Sequence, residues 1–126
     1  MEHPKPAGVL VVDDDPGIRG LLTAALPRHG CAVWCACNGR AAVDVYEQNK
    51  SAIGVVLLDV QMPGLDGPQT LAALRAVDPG VRAVFMTGDT GHYTQDDLAR
   101  WGVAVLRKPF ADLDDLAEIL CRAAAD

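Results

Sequence analysis

Short apolar runs alternate along the chain with longer segments whose apolar residues recur every three or four positions. Gly8 to Val12 reads GVLVV and stops at three aspartates, Asp13, Asp14 and Asp15. Asp15 before Pro16 has the form of a helix N-cap with proline at the first helical position. Ile18, Leu21, Leu22, Ala25 and Leu26 then follow at helical spacing until Pro27 and Gly30 close the segment. A second apolar run, Ala32 to Cys37, ends at Asn38-Gly39, and the helix after it carries Ala42, Val43, Val45 and Tyr46 to about Gln48. The third run, Ile53 to Leu58, meets Asp59 and a turn-rich loop from Gln61 to Gly67. Pro68 opens a helix expected to bury Leu71, Leu74 and Val77, closed by Asp78-Pro79-Gly80. The fourth run, Arg82 to Met86, leads to Thr87 and a polar loop from Gly88 to Tyr93. A short helix starts near Thr94, which forms a capping box with Asp97. The fifth run, Val103 to Leu106, leads to Arg107-Lys108-Pro109-Phe110. A last helix from about Asp112 presents Leu113, Leu116, Ile119 and Leu120.

Runs that are apolar at consecutive positions suit strands buried on both faces, the condition of a parallel sheet covered by helices. The prediction is an α/β domain, a three-layer doubly wound (βα)5 unit with a five-stranded parallel sheet. Right-handed crossovers give that architecture and place ligands at the carboxyl ends of the strands. Residues 1–7 read as a flexible tail and residues 8–126 as one domain.

Composition narrows the function classes. The chain has 126 residues, half of them hydrophobic, with 11 basic against 17 acidic side chains and a formal charge of −6. That balance argues against a nucleic-acid or anionic-membrane binder, because both need a clustered positive field. No apolar stretch is long enough to span a bilayer, and Met1 to Gly8 lacks the apolar core of a signal peptide. The expected location is therefore cytoplasmic. Cys31, Cys35, Cys37 and Cys121 contain no C-x-x-C, and His3, His29 and His92 are scattered, so the cysteines read as small, reduced core residues.

The chemistry gathers at the predicted strand ends. Asp13, Asp14 and Asp59 bring carboxylates to one rim, Thr87 a hydroxyl and Lys108 an ammonium. Two carboxylates about 4 Å apart repel by about 4 kcal/mol at an effective dielectric near 20. Left bare, such a cluster must hold a proton or attract a cation, and an all-oxygen donor set suits Mg²⁺ (or Mn²⁺). Asp59, ending the central strand, is placed for nucleophilic attack on a phosphoryl group. Lys108 and Thr87 would stabilise charge on the transferring oxygens. Capping and rim salt bridges are the competing explanation, and convergence of these residues on one rim disfavours it. Asp15 reads instead as a helix cap, and Asp66 and Gly67 as turn and cap. The pairs Asp96-Asp97 and Asp114-Asp115 read as first-turn charges that complement helix dipoles.

Four segments together carry a resemblance. Val9-Leu10-Val11-Val12-Asp13-Asp14-Asp15, Val55-Val56-Leu57-Leu58-Asp59 followed by Met62-Pro63-Gly64-Leu65-Asp66-Gly67, Phe85-Met86-Thr87-Gly88 and Leu106-Arg107-Lys108-Pro109-Phe110 resemble the receiver domain of bacterial two-component response regulators, the chemotaxis-regulator-like class. The resemblance implies the flavodoxin-like strand order 2-1-3-4-5 and Mg²⁺-dependent phosphorylation of Asp59 by the phosphohistidine of a histidine kinase or histidine phosphotransfer protein. It makes Asp14 a direct metal ligand, Asp13 one acting through water, and the backbone carbonyl of Gln61 a further ligand beside Asp59. Thr87 becomes the switching hydroxyl, Lys108 the phosphoryl-binding cation with a cis bond to Pro109, and Gly88 the residue that leaves access. Gln61 and Asp89 become side chains that tune hydrolysis of the acyl phosphate.

The chain departs from the family at one point. Receiver domains commonly carry a switch aromatic two or three residues before the lysine, and here Val105 and Leu106 stand there. Tyr93 is open between a substitute ring and a solvent-facing loop residue, and loop motion between Thr87 and Tyr93 is expected to exceed motion of strand five. Trp101 is open between core packing and an anchor on the helix-four, strand-five and helix-five face, through which receivers dimerise or act on output partners. Trp34 reads as cover for a sheet edge or a helix groove. A phosphatase or phosphotransferase of the haloacid-dehalogenase type would need an aspartate where Gln61 stands, together with a cap domain. The expected chemistry is therefore self-phosphorylation and autodephosphorylation, without a separate substrate pocket. A phosphorylation-independent interaction module is disfavoured by the complete acceptor set. A flavodoxin-like nucleotide binder would replace the three aspartates by a Ser/Thr/Gly-rich phosphate loop. Whether the chain acts alone on a downstream output protein or belongs with an output domain is left open. The Thr87-Gly88 pair and short fourth helix are similar to those of receivers in hybrid sensor kinases.

Overall fold

A computed structural model describes residues 8–88, 93–102, 104–108 and 112–125. The proposed tail, residues 1–7, lies outside them, as do Asp89 and the Lys108–Pro109 bond. In chain order the elements are β1 (Gly8–Val12), α1 (Pro16–Ala25), a 3-10 turn (Leu26–His29), β2 (Ala32–Ala36), α2 (Gly39–Asn49), β3 (Ile53–Asp59), α3 (Gly67–Val77), β4 (Ala83–Thr87), α4 (Gln95–Trp101), β5 (Ala104–Arg107) and α5 (Leu113–Ala125). The sheet runs β2-β1-β3-β4-β5 with every pair parallel, as the sequence implied.

The continuous apolar runs are explained by two cores, one on each face of the sheet. Leu10, Val12, Val56, Leu58 and Phe85 point to one face, where Tyr46, Leu71, Leu74 and Leu98 of α2, α3 and α4 cover them. Val9, Val11, Val55, Leu57, Val84 and Met86 point to the other, under Leu22, Leu26, Leu116 and Leu120. Successive strand side chains alternate between faces, so a strand covered on both sides needs apolar residues throughout. β1 and β4 are buried along their whole length, whereas β2 and β5 at the edges are partly exposed. Trp34 lies on edge strand β2 opposite Leu10 and packs against the first core.

Helix starts follow local capping chemistry. Asp15 accepts from the Gly17 amide at 2.8 Å and Asn38 from Ala41 at 2.8 Å. Asp66 with Gln69, and Thr94 with Asp97, form reciprocal capping boxes at α3 and α4. Thr87 lies within β4, one residue beyond the predicted strand end.

The cysteine reading needs correction. Cys31 and Cys121 form a disulfide with Cα atoms 5.8 Å apart, while Cys35 and Cys37 are free. Cys31 follows the 3-10 turn and Cys121 lies on α5, and α5 packs against that turn and α1. Helix packing brings the pair together across 90 residues of sequence, so no local spacing announces it.

Candidate functional site

Asp13 directly follows β1, Asp59 ends β3, Thr87 ends β4 and Lys108 directly follows β5. Parallel strands place these ends on one rim, and Asp59 lies level with Met86, next to Thr87. Carboxylate oxygens of Asp13, Asp14 and Asp59 lie within 4.8 Å of one another. Asp13 is fully buried and held from three sides. Its Oδ1 accepts from the Asp15 amide at 2.9 Å, its Oδ2 from Lys108 Nζ at 3.1 Å, and its carbonyl oxygen from Arg19 Nη1 at 2.8 Å. Asp14 is exposed.

Asp59 is 7% exposed; its Oδ2 accepts from Lys108 Nζ at 3.3 Å and its Oδ1 from the Gln61 amide at 3.3 Å. One ammonium thus bridges two carboxylates. The Lys108 amide also donates to the Thr87 carbonyl at 2.9 Å, which fixes the lysine beside β4. Burial works against the Lys108 charge, but its bonds to both aspartates and their charges hold its pKa above the ordinary lysine value. Thr87 Oγ1 is buried without a hydrogen-bond partner among the described residues. A buried hydroxyl in that state is costly unless a ligand completes it. A Cβ added at Gly88 would lie 3.8 Å from Lys108 Cβ, an ordinary contact distance that places Gly88 at the edge of the site.

Burial, followed by the charge of Asp13, pushes the Asp59 carboxyl up from 3.8 to about 6, with Lys108 and the Gln61 amide acting in the opposite direction. The folded protein then binds this proton more tightly than the unfolded chain does. Ionisation therefore removes folded stability as pH rises from about 4 through 6, and the full penalty is present above that window. In metal-free protein Asp59→Asn is expected to raise stability by about 2 kcal/mol at pH 7.5, with the gain fading by pH 4. Urea denaturation at the two pH values checks it; an equal effect at both contradicts it.

The carboxylates form an oxygen-only donor set with one exposed member, which fits a hard divalent cation better than a soft metal. The structure thus brings together Asp13, Asp14, Asp59, Thr87 and Lys108, with Gln61 beside them through its backbone and Gly88 at the edge. Val105 lies opposite Phe85 in the sheet and packs against the first core.

Two residues have larger structural parts than the sequence suggested. Tyr93 is half-buried: its hydroxyl donates to Asp66 Oδ2 at 2.8 Å, and its ring meets Trp101 edge-on with centroids 5.8 Å apart. This corrects the solvent-facing alternative, and Asp66 serves both as cap and as acceptor for a distant loop. Trp101 is 38% exposed, so the core alternative does not describe it. Gly67 is required by a close approach rather than by capping alone. A Cβ there would lie 2.6 Å from the Asp59 carbonyl oxygen, and the Gly67 amide donates to the Val60 carbonyl at 2.9 Å. The turn-rich sequence from Gln61 to Gly67 gives no sign of that contact.

Residues 9–120 match the response regulator receiver domain family. Sporulation initiation phosphotransferase F of Bacillus subtilis is 31% identical over 112 residues, which are 87% of this chain and 87% of that protein. Sensor kinase CckA of Brucella abortus is 34% identical over 94 residues, covering 75% of this chain but 10% of the kinase. Among solved structures, the response regulator TrrA of Thermotoga maritima in complex with Mg²⁺ and BeF superposes with a TM-score of 0.77 at 28% identity, covering 92% of this chain and 97% of that one. Relatives of this chain thus include a protein of similar length and a much longer kinase. With the sheet order, the rim and the matched residues in agreement, the chain belongs to the response regulator receiver domain family and is a receiver of two-component signalling.

Proposed function

We propose that Asp59 of this chain is the phosphoacceptor, taking its phosphoryl group from a phosphohistidine on a histidine kinase or histidine phosphotransfer protein. The observation that carries this reading is the single Lys108 ammonium shared by Asp13 and Asp59 beside a buried hydroxyl that has no partner among the described residues. An Asp59 carboxylate oxygen attacks phosphorus as the phosphorus–nitrogen bond breaks, and the imidazole nitrogen keeps the electron pair. Lys108 turns from the Asp59 carboxylate to a phosphoryl oxygen, which preserves its ion pair with Asp13. Thr87 gains in the same group a partner for its buried hydroxyl.

Asp14 and Asp59 directly, Asp13 through water and the Gln61 carbonyl would hold Mg²⁺ or Mn²⁺. The ion supplies positive charge that offsets repulsion between the acidic rim and the incoming phosphoryl group. The side chains of Gln61 and Asp89 are assigned to tuning hydrolysis, and Gly88 to access. Residues 8–126 constitute the receiver unit, acting in the cytoplasm on a downstream protein or on an output domain. Its acidic charge supports contact with protein rather than nucleic acid, and among the described residues no helix is long and apolar enough to cross a membrane. The partly exposed Trp101 supports self-association through α4, β5 and α5.

Asp14→Ala tests the metal assignment with little risk to the fold, because Asp14 is exposed. Its affinity for Mg²⁺, read by tryptophan fluorescence titration, is expected to fall about tenfold or more. An unchanged titration contradicts the assignment.

A further inference from the structure

The loops leaving Asp59 and Thr87 begin at adjacent strand ends and meet again at a hydrogen bond. The first runs from Asp59 to Asp66, the N-cap of α3, and the second joins Thr87 to Tyr93, directly before the N-cap of α4. The Tyr93 hydroxyl on Asp66 Oδ2 ties their far ends at 2.8 Å. Asp59, Asp66, Tyr93 and Thr87 are therefore successive points on a closed circuit beside the site. A change at either strand end is absorbed within the circuit or strains the hydrogen bond at its far end.

We propose that the Tyr93 hydroxyl is a latch that holds the unphosphorylated state, and that phosphorylation of Asp59 releases it from Asp66 through the movement of Thr87. The inference rests on the phosphoacceptor reading above and adds to it the residue that carries the signal away from the rim. Three observations support it. Thr87 Oγ1 is buried without a hydrogen-bond partner among the described residues, so a phosphoryl oxygen gives it a reason to move. Asp66 meets its capping partner, the Gln69 amide, through Oδ1, so the latch uses the other oxygen and can open without uncapping α3. Tyr93 and Val105 both pack against the first core, so that face of the sheet carries a ring although β5 itself supplies none.

Burial and the Asp66 carboxylate also push the phenol up to about 12, so the latch remains a donor throughout the neutral range. Release has a defined consequence. Tyr93 and Trp101 form one wall of an apolar groove of about 460 Å³ whose other wall is Pro68, Leu71 and Ala72 of α3. Moving the tyrosine changes the width of that groove and the surroundings of Trp101.

The test uses beryllofluoride with Mg²⁺ as the phosphoryl mimic, in a Trp34→Phe background that leaves Trp101 as the reporter. Tyr93→Phe keeps the ring and removes the hydroxyl. It is expected to bind beryllofluoride about fivefold more tightly, the reciprocal of a latch that opposes activation. Its unliganded emission is expected to shift toward that of the beryllofluoride-bound parent. Asp66→Ser retains a good cap but leaves no second polar atom for the tyrosine, and it should act in the same direction, with the double variant adding nothing beyond Tyr93→Phe. Amide exchange on the unmutated protein supplies a reading free of substitution: beryllofluoride should lower protection across 93–101.

Unchanged or weaker affinity in Tyr93→Phe, with parental emission, overturns the latch, as does unchanged exchange across 93–101 in protein that binds the mimic. If the unmutated protein ignores beryllofluoride, the phosphoacceptor reading fails and the latch fails with it. If it binds while Tyr93→Phe matches it in both readouts, the latch alone fails.

Discussion

Asp59→Asn is expected to leave a folded protein that accepts no phosphoryl group from a phosphohistidine donor or from acetyl phosphate. The substitution keeps shape and the contact with the Gln61 amide, but the amide oxygen is a far weaker nucleophile than a carboxylate. It also removes one of two negative charges that hold Lys108. The lysine keeps its bond to the fully buried Asp13, so the rim does not collapse. Loss should be complete within detection, and melting temperature at neutral pH should not fall, because Asp59 is ionised there at a cost to the fold. Radiolabel transfer from a phosphorylated donor, paired with a melting curve, checks both halves. Residual labelling at the unmutated level would move the acceptor to another residue.

Gly67→Ala is expected to destabilise the protein by about 3 kcal/mol, within the range for an added methyl that nothing can accommodate. The new Cβ would meet the Asp59 carbonyl oxygen at 2.6 Å and Val60 Cα at 2.9 Å, both backbone atoms without rotamer freedom. Relief requires either the start of α3 or the end of β3 to shift. A shift at β3 moves Asp59 away from Lys108, so phosphorylation should slow in the fraction that folds. Urea titration gives the stability, and labelling at a temperature where the variant is folded gives the rate. Parental stability would mean that the loop from Asp59 to Gly67 is looser than its contacts indicate.

The fold was legible because its physics is local and repetitive. A strand covered on both faces must be apolar along its buried length, and β1, β3 and β4 show this up to the polar residues at the ends of β3 and β4. Asp15-Pro16 and Thr94 with Asp97 marked helix starts through capping chemistry that needs only neighbouring residues. The rim was legible for a related reason. Once the strands are parallel, residues directly at their ends must converge, whatever their separation in sequence.

What stayed hidden depends on contacts that no local pattern encodes. The Cys31–Cys121 pair is set by how α5 lies against the 3-10 turn and α1. The bond from Tyr93 to Asp66 joins two loops, and neither carries a sign of the other. Gly67 looked like a cap residue, although its lack of a side chain is demanded by the backbone of Asp59. Asp66 had a recognisable place at a helix start, but its second oxygen had no visible claimant in the sequence.

Intact-mass measurement of the unmutated protein with acetyl phosphate, with and without Mg²⁺, tests the central claim most directly. The expected result is a mass gain of one phosphoryl group that requires the metal, is lost on treatment with hydroxylamine as an acyl phosphate should be, and maps to Asp59. No gain in the presence of Mg²⁺, or a gain that persists in Asp59→Asn, would contradict it.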